Sequence, residues 1–287
     1  ENYIPHTEKV VNVEQLKALV DREQYRAIIT GSDQVWNPHI FDFDEMFFFP
    51  FETKAIKIGY SVSIGESSLE DIRGYSKYAK DFPYVGLREK GAKEKVEAIC
   101  GHSVVDTVDP VLLLTREDWE TFVDKSSPLA KEKYLFCYLI DKKPIKQNMA
   151  IAEQIAKERG LKIKYIWMHL EKESFRGNFI NDASPVEFLN YMYHASAVMT
   201  DGYHGTVFST IFNKPMYSVI NNRQSTDSRI RDYLTLIGLE SRIFYGDAPV
   251  IPKEEIDYTE VDPKIRSAAD ASKAFLQSAI DNERVVR

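Results

Sequence analysis

The stretch Met199–Val219, MTDGYHGTVFSTIFNKPMYSV, decides how this chain is read. Residues 197–200, AVMT, are apolar and β-prone; DGYHG breaks them with two glycines; and TVFSTIFN has helical length before Pro215 closes it. Strand, turn and helix in that order form one βα unit, with His204 at the helix N-terminus. A histidine there is either a turn residue or a proton-exchanging group, since imidazole titrates close to neutral pH.

Upstream, the same alternation repeats. KYLFCYLI (133–140) reads as a strand, QNMAIAEQIAKERG as a helix closed by Gly160, KIKYIWM (162–168) as a strand, and SPVEFLNYMYHA as a helix started by Ser184-Pro185. An earlier series has strands at YRAIITG (25–31), KAIKIGYSVSIG (54–65), YVGLRE (84–89) and SVVDTVDP (103–110), with helices near 68–80 and 90–100. Strands alternating with helices imply parallel βαβ units, and 287 residues exceed the about 100–200 of one core. The polar segment EDWETFVDKSSPLAKEK reads as a linker, which divides the chain into an N-terminal domain over 1–130 and a C-terminal domain over 131–287. A last helix is expected over 263–283.

Composition narrows the function. A 44% hydrophobic and 12% aromatic chain is globular, and a net charge of -7 without a Lys/Arg block argues against nucleic acid as partner. Cys100 and Cys137 are the two cysteines, each in apolar surroundings, which fits a reducing cytoplasm and neither a disulfide framework nor a thiolate metal site. The other histidines, His6, His39, His102, His169 and His194, show no metal-ligand spacing, so no metal is expected. No apolar run is long enough for a membrane span. The opening ENYIPHTEKV is neither a leader nor a Met start, which fits a chain lacking its native N-terminus.

Ligands of open α/β sheets gather at the carboxyl ends of strands, so the strand ends hold the candidates. ITGSDQVWNP offers Gly31 for close backbone approach, Ser32 and Asp33 as polar groups, and Trp36 as a pocket wall; the competing reading is a strand cap with a core tryptophan. YSVSIG adds Ser63. In VGLREKG, Arg88 ends a strand before a helix start, where it either clamps a carboxylate or phosphate or forms an internal ion pair. Asp109-Pro110 reads as a turn. Beside His204 stand Tyr203, Gly205 and Thr206, the last two offering backbone N–H groups to a phosphate. Arg229 and Arg231 follow in a helix started by Ser228; one of them reaches the site, or both are solvent-facing charges.

Taken in order, YRAIITGSDQVWNP, YSVSIG, VGLREKG, TVDPVLLL and VMTDGYHGTVFSTIFNKPMYSV resemble the polysaccharide pyruvyl transferase family over residues 25–245. The resemblance implies an α/β fold of two Rossmann-like domains facing a cleft, similar to GT-B glycosyltransferases. It implies an enzyme moving a pyruvyl group from phosphoenolpyruvate to sugar hydroxyls of a polysaccharide or glycan precursor as a ketal, with Arg88 and His204 as the functional pair. Such a reaction needs no cofactor beyond its donor substrate and belongs to synthesis of a bacterial cell-surface glycan. One departure stands out: the strand and Gly/Asn-rich turn that open such chains do not precede Tyr25, so the first strand region of the N-terminal domain is expected to be missing. Two alternatives are a GT-B-type glycosyltransferase using a nucleotide sugar and a non-catalytic glycan- or anion-binding relative.

Overall fold

The computed structural model describes residues 5–167, 175, 177–220, 228–245 and 250–282. The chain divides into two units, Glu1–Leu113 with Ala268–Arg287, and Leu114–Ser267.

In the first unit, α1 (Val13–Glu23) leads into β1 (Ala27–Thr30) and β2 (Ile56–Val62). There follow α2 (Leu69–Arg73), α3 (Ser76–Ala79), β3 (Tyr84–Leu87), α4 (Lys93–Cys100) and β4 (Val105–Asp106). The four strands pair in chain order, all parallel. In β2 every residue after Ile56 is buried, as a strand covered on both faces requires, and this is why it reads as an apolar run. One face of the sheet packs on Trp36, Phe48, Phe82 and Val96. The helix expected over 68–80 is two short helices, the first ending at Gly74, and the expected strand 103–110 keeps only two paired residues. Beyond β4 the Val108 N–H turns to Ser272 Oγ at 3.0 Å, and Pro110 has no N–H to donate.

The second unit holds α5 (Arg116–Glu120), β5 (Tyr134–Leu139), α6 (Ile145–Arg159), β6 (Lys162–Trp167), β7 (Asn178–Ile180) and α7 (Pro185–His194). It continues with β8 (Ala197–Thr200), α8 (Tyr203–Ile211), β9 (Met216–Ile220), α9 (Ser228–Ile237) and β10 (Ile243–Tyr245). Its six parallel strands run in the order β10-β9-β8-β5-β6-β7. The chain therefore leaves β5 in one direction and returns to the other side of it at β8, a doubly wound sheet with its switch point between those strands. Local signals set the helices: Gly160 closes α6 in the left-handed conformation (φ 65°), and Ser184 with Glu187 forms the capping box of α7. Met168, expected to end β6, lies outside the described residues, as does His169.

Segment 117–133 is not a free linker. Part of it is α5, whose Trp119 meets Phe208 of α8 edge-on with centroids 5.0 Å apart, and the division of the chain falls before it, after Leu113. The last helix, α10 (Tyr258–Asp281), starts five residues earlier than expected, because Asp257 Oδ1 accepts from the Thr259 N–H (2.9 Å) and Oγ1 (2.6 Å). Pro263 is tolerated inside it. The helix spans the division: its carboxyl half belongs to the first unit, where Phe275 and Ala279 join Ile58, Tyr60 and Tyr84 in a second apolar cluster. Glu283, expected within it, lies outside the described residues. Cys100 and Cys137 are buried free thiols.

Candidate active site

Three loops at strand carboxyl ends meet in the first unit. Gly31 follows β1 with φ 119°, and a Cβ there would collide with the Tyr60 carbonyl oxygen of β2. The glycine is thus required by the neighbouring strand. Asp33 sits at φ 68°, a left-handed conformation that aspartate tolerates better than most residues.

Arg88, one residue past β3, is nearly enclosed. Its NH1 donates to Asp109 Oδ2 at 3.0 Å and its NH2 to Asp33 Oδ1 at 3.0 Å. Ser32 Oγ donates to the same Asp109 oxygen (3.2 Å), and the Val111 N–H to Asp109 Oδ1 (3.1 Å). The Asp109 side chain is as buried as that of Arg88, each 2% exposed, whereas that of Asp33 is 65% exposed. Gly31, Ser32, Asp33 and Arg88 are thus brought together, around an aspartate that the sequence presents only as a turn before proline. Its signal was there, in opposite charges ending what turn out to be adjacent strands, Arg88 after β3 and Asp109 after β4.

Two expectations are corrected. Trp36 is fully buried and stacks on Phe48 with centroids 4.8 Å apart, so it is core and no pocket wall. Ser63 is also fully buried; its Oγ donates to Glu89 Oε1 at 2.8 Å, and the same oxygen accepts from the Ile64 (2.9 Å) and Gly65 (3.2 Å) N–H groups. Glu89 therefore fastens the turn after β2 and leaves Arg88 to the aspartates.

In the second unit the β8–α8 turn sits at the switch point. Asp201 takes the Ile140 N–H on Oδ1 (2.7 Å), and the Asp141 N–H (3.3 Å) and Asn148 Nδ2 (3.1 Å) on Oδ2, tying this turn to the loop after β5 and to α6. Gly202 caps α8, with its N–H on Thr200 Oγ1 at 3.1 Å. His204 is the second residue of α8, half-buried, its ring edge-on to Tyr203 with centroids 5.5 Å apart. The first N–H groups of a helix lack partners within it, and Gly205 supplies one of them. Thr206 does not: its N–H donates to Gly202 O at 3.1 Å. Its fully buried Oγ1 also donates to Gly202 O (3.1 Å) and so receives the Ser218 hydroxyl (3.0 Å). That residue is structural, contrary to expectation. Tyr203 is buried, facing Tyr233 of α9 at 6.1 Å between centroids. Arg229 lies half-buried on the first turn of α9, and Arg231 NH1 donates to the Tyr245 hydroxyl at 2.9 Å.

Gly205 itself admits no side chain: a Cβ would strike Thr200 Oγ1 and the Tyr138 ring. At an open helical position alanine in place of glycine stabilises by up to about 1 kcal/mol. Here Gly205→Ala is expected to destabilise by about 1–3 kcal/mol, the usual range for overpacking. Chemical denaturation reads the sign directly; a stabilised variant would show that the β8–α8 turn has slack.

Among the described residues, no group of three His, Cys, Asp or Glu side chains is placed to hold a metal ion. No helix among them is long and apolar enough to cross a membrane.

The family model for polysaccharide pyruvyl transferase matches residues 3–223. No curated protein sequence matches the chain. Among solved structures, a UDP-N-acetylglucosamine 2-epimerase aligns at TM-score 0.57 and 10% identity, covering 96% of this chain and 78% of its own. The Rickettsia bellii UDP-N-acetylglucosamine 2-epimerase aligns at TM-score 0.52 and 10% identity, over 95% of this chain and 79% of its own. The UDP-GlcNAc 2-epimerase of Methanocaldococcus jannaschii aligns at 0.53 and 10%, over 90% and 73%. At such identities the likeness is one of fold: two Rossmann-like α/β units of the GT-B kind.

Proposed function

Because the chain belongs to the polysaccharide pyruvyl transferase family, we propose that it transfers the pyruvyl group of phosphoenolpyruvate to two hydroxyls of a glycan as a cyclic ketal. The observation carrying this reading is that the family match includes the GSDQVWNP, VGLREKG and DGYHGTVFS blocks, with His204 on the turn at the switch point of a doubly wound sheet.

The chemistry needs a proton delivered to the methylene carbon of the enol phosphate. One sugar hydroxyl then attacks C2, the C2–O bond to phosphate breaks, and a second hydroxyl closes the ring as both hydroxyl protons leave. Diol and phosphoenolpyruvate become ketal and phosphate. His204 is the group that exchanges protons, and the N-terminal end of α8, with the Gly205 N–H, favours the developing phosphate charge. Arg88 holds negative charge of the donor. Arg229 is a further candidate for the acceptor or the phosphate. The cytoplasm, where phosphoenolpyruvate is made and unpaired cysteines stay reduced, is the proposed compartment.

The test incubates the full chain with phosphoenolpyruvate and a panel of glycans, following phosphate release and glycan mass. The reading expects phosphate release that depends on the glycan and a product heavier by one pyruvate less one water. Turnover of a nucleotide sugar in its place, or donor binding with no ketal formed under any acceptor, would replace it by the alternatives.

A further inference from the structure

Arg88 meets the donor only if something gives way, because its side chain is only 2% exposed and its terminal nitrogens already hold carboxylates. Asp109 and Asp33 place two carboxylates on one guanidinium, so an anion added to the present arrangement would meet net negative charge.

The two aspartates differ in their ability to leave. Asp109 is enclosed, and its oxygens also hold Ser32 Oγ and the Val111 N–H. Withdrawing it would strand a charge on each side. Asp33 reaches Arg88 through a single oxygen from an exposed position, and that oxygen also accepts the Gln34 N–H at 2.9 Å. Once rotated away, its exposed carboxylate is solvated by water. Arg88 cannot follow it outward, being held by Asp109.

We propose that Asp33 is a place-holder: its carboxylate occupies the NH2 edge of Arg88 until the carboxylate of the donor displaces it. This rests on the donor reading above and assigns which end of phosphoenolpyruvate Arg88 takes. A carboxylate for a carboxylate leaves the local charge unchanged, whereas a phosphate dianion there would add one negative charge beside Asp109. Ion pairing by Asp33 thus lowers apparent donor affinity by the fraction of molecules in which it is engaged.

The experiment measures binding of phosphoenolpyruvate, pyruvate and inorganic phosphate to the full chain and to Asp33→Asn by calorimetry. Asparagine is chosen because it keeps size and accepts the left-handed backbone at this position. The expected result is a dissociation constant for phosphoenolpyruvate about tenfold lower in Asp33→Asn, with pyruvate tightened in parallel and inorganic phosphate unchanged. Mere removal of a nearby negative charge predicts otherwise, since phosphate, the more highly charged probe, would then gain at least as much; that outcome overturns the exchange. So does wild-type binding of phosphoenolpyruvate that Asp33→Asn leaves unchanged or weakens, in which case the donor reading survives alone. Absence of phosphoenolpyruvate binding to both proteins overturns the donor reading and the exchange together. Asp33→Glu, which retains the charge, is the second variant: its donor affinity is expected to stay within a few-fold of the parent, and a tenfold gain there contradicts the place-holder.

Discussion

His204→Gln is expected to lower turnover about a hundredfold or more while leaving the melting temperature of the chain nearly unchanged. The size follows from the role: a positioned general acid or base contributes about 10²- to 10⁴-fold, and glutamine offers a hydrogen bond but no titratable proton. Stability should hold because His204 is half-buried on the first turn of α8 and stands outside the apolar clusters, its ring edge-on to Tyr203. Glutamine is also a good helix former, so the turn keeps its geometry. Donor affinity should change little, placing the loss in kcat. A structural histidine predicts the reverse, a melting temperature several degrees lower and full turnover per folded molecule. Both quantities come from one protein sample. Turnover within a few-fold of the parent, measured with the true acceptor, would remove His204 from the chemistry.

What the sequence discloses here is mainly local. β5, β6 and β8 are legible because buried parallel strands must be continuous apolar runs, and α6 and α7 because Gly160 and Ser184 act within one turn of the helix ends. β7, β9 and β10 are not legible in this way: β7 and β10 have three residues each, and β9 follows directly on Asn213-Lys214-Pro215, which reads as a helix stop. The site shows the same divide. That His204 heads a helix after a glycine turn is written in seven consecutive residues, whereas the fates of Trp36, Ser63 and Arg88 depend on partners far along the chain. Ser63 meets Glu89 26 positions away, and Ser32 meets Asp109 77 positions away. No periodicity encodes such pairings. They arise because parallel pairing sets β1 to β4 side by side, so residues just beyond separate strands become neighbours. The division after Leu113 is hidden from the sequence for a related reason: the polar stretch 117–133 reads as a linker, and only the packing of Trp119 on Phe208 assigns it to the second unit.

The pairing of Arg88 with Asp109 carries the second large effect. Asp109→Ala is expected to destabilise the protein by about 3–5 kcal/mol, the usual consequence of leaving one member of a buried ion pair behind. Arg88 NH1 would lose its 3.0 Å partner in a place where 2% of the side chain is exposed, and Ser32 Oγ and the Val111 N–H would lose an acceptor as well. Asp33 cannot replace it from the opposite edge while still meeting the Gln34 N–H. For a chain of this size the loss corresponds to a fall in melting temperature of about 10 °C. The pair as a whole is a different matter, since taking two charges out of water consumes most of their attraction. Arg88→Met combined with Asp109→Leu should therefore recover the greater part of the lost stability, while abolishing donor binding. Denaturation of the single and double variants, with donor titration of the double, separates folding from function at one position. If Asp109→Ala costs under about 1 kcal/mol, the pair is solvated in solution and Arg88 is not held in place for a ligand; if the double variant is as unstable as the single, its partners Ser32 and Val111 carry the stability that the ion pair was credited with.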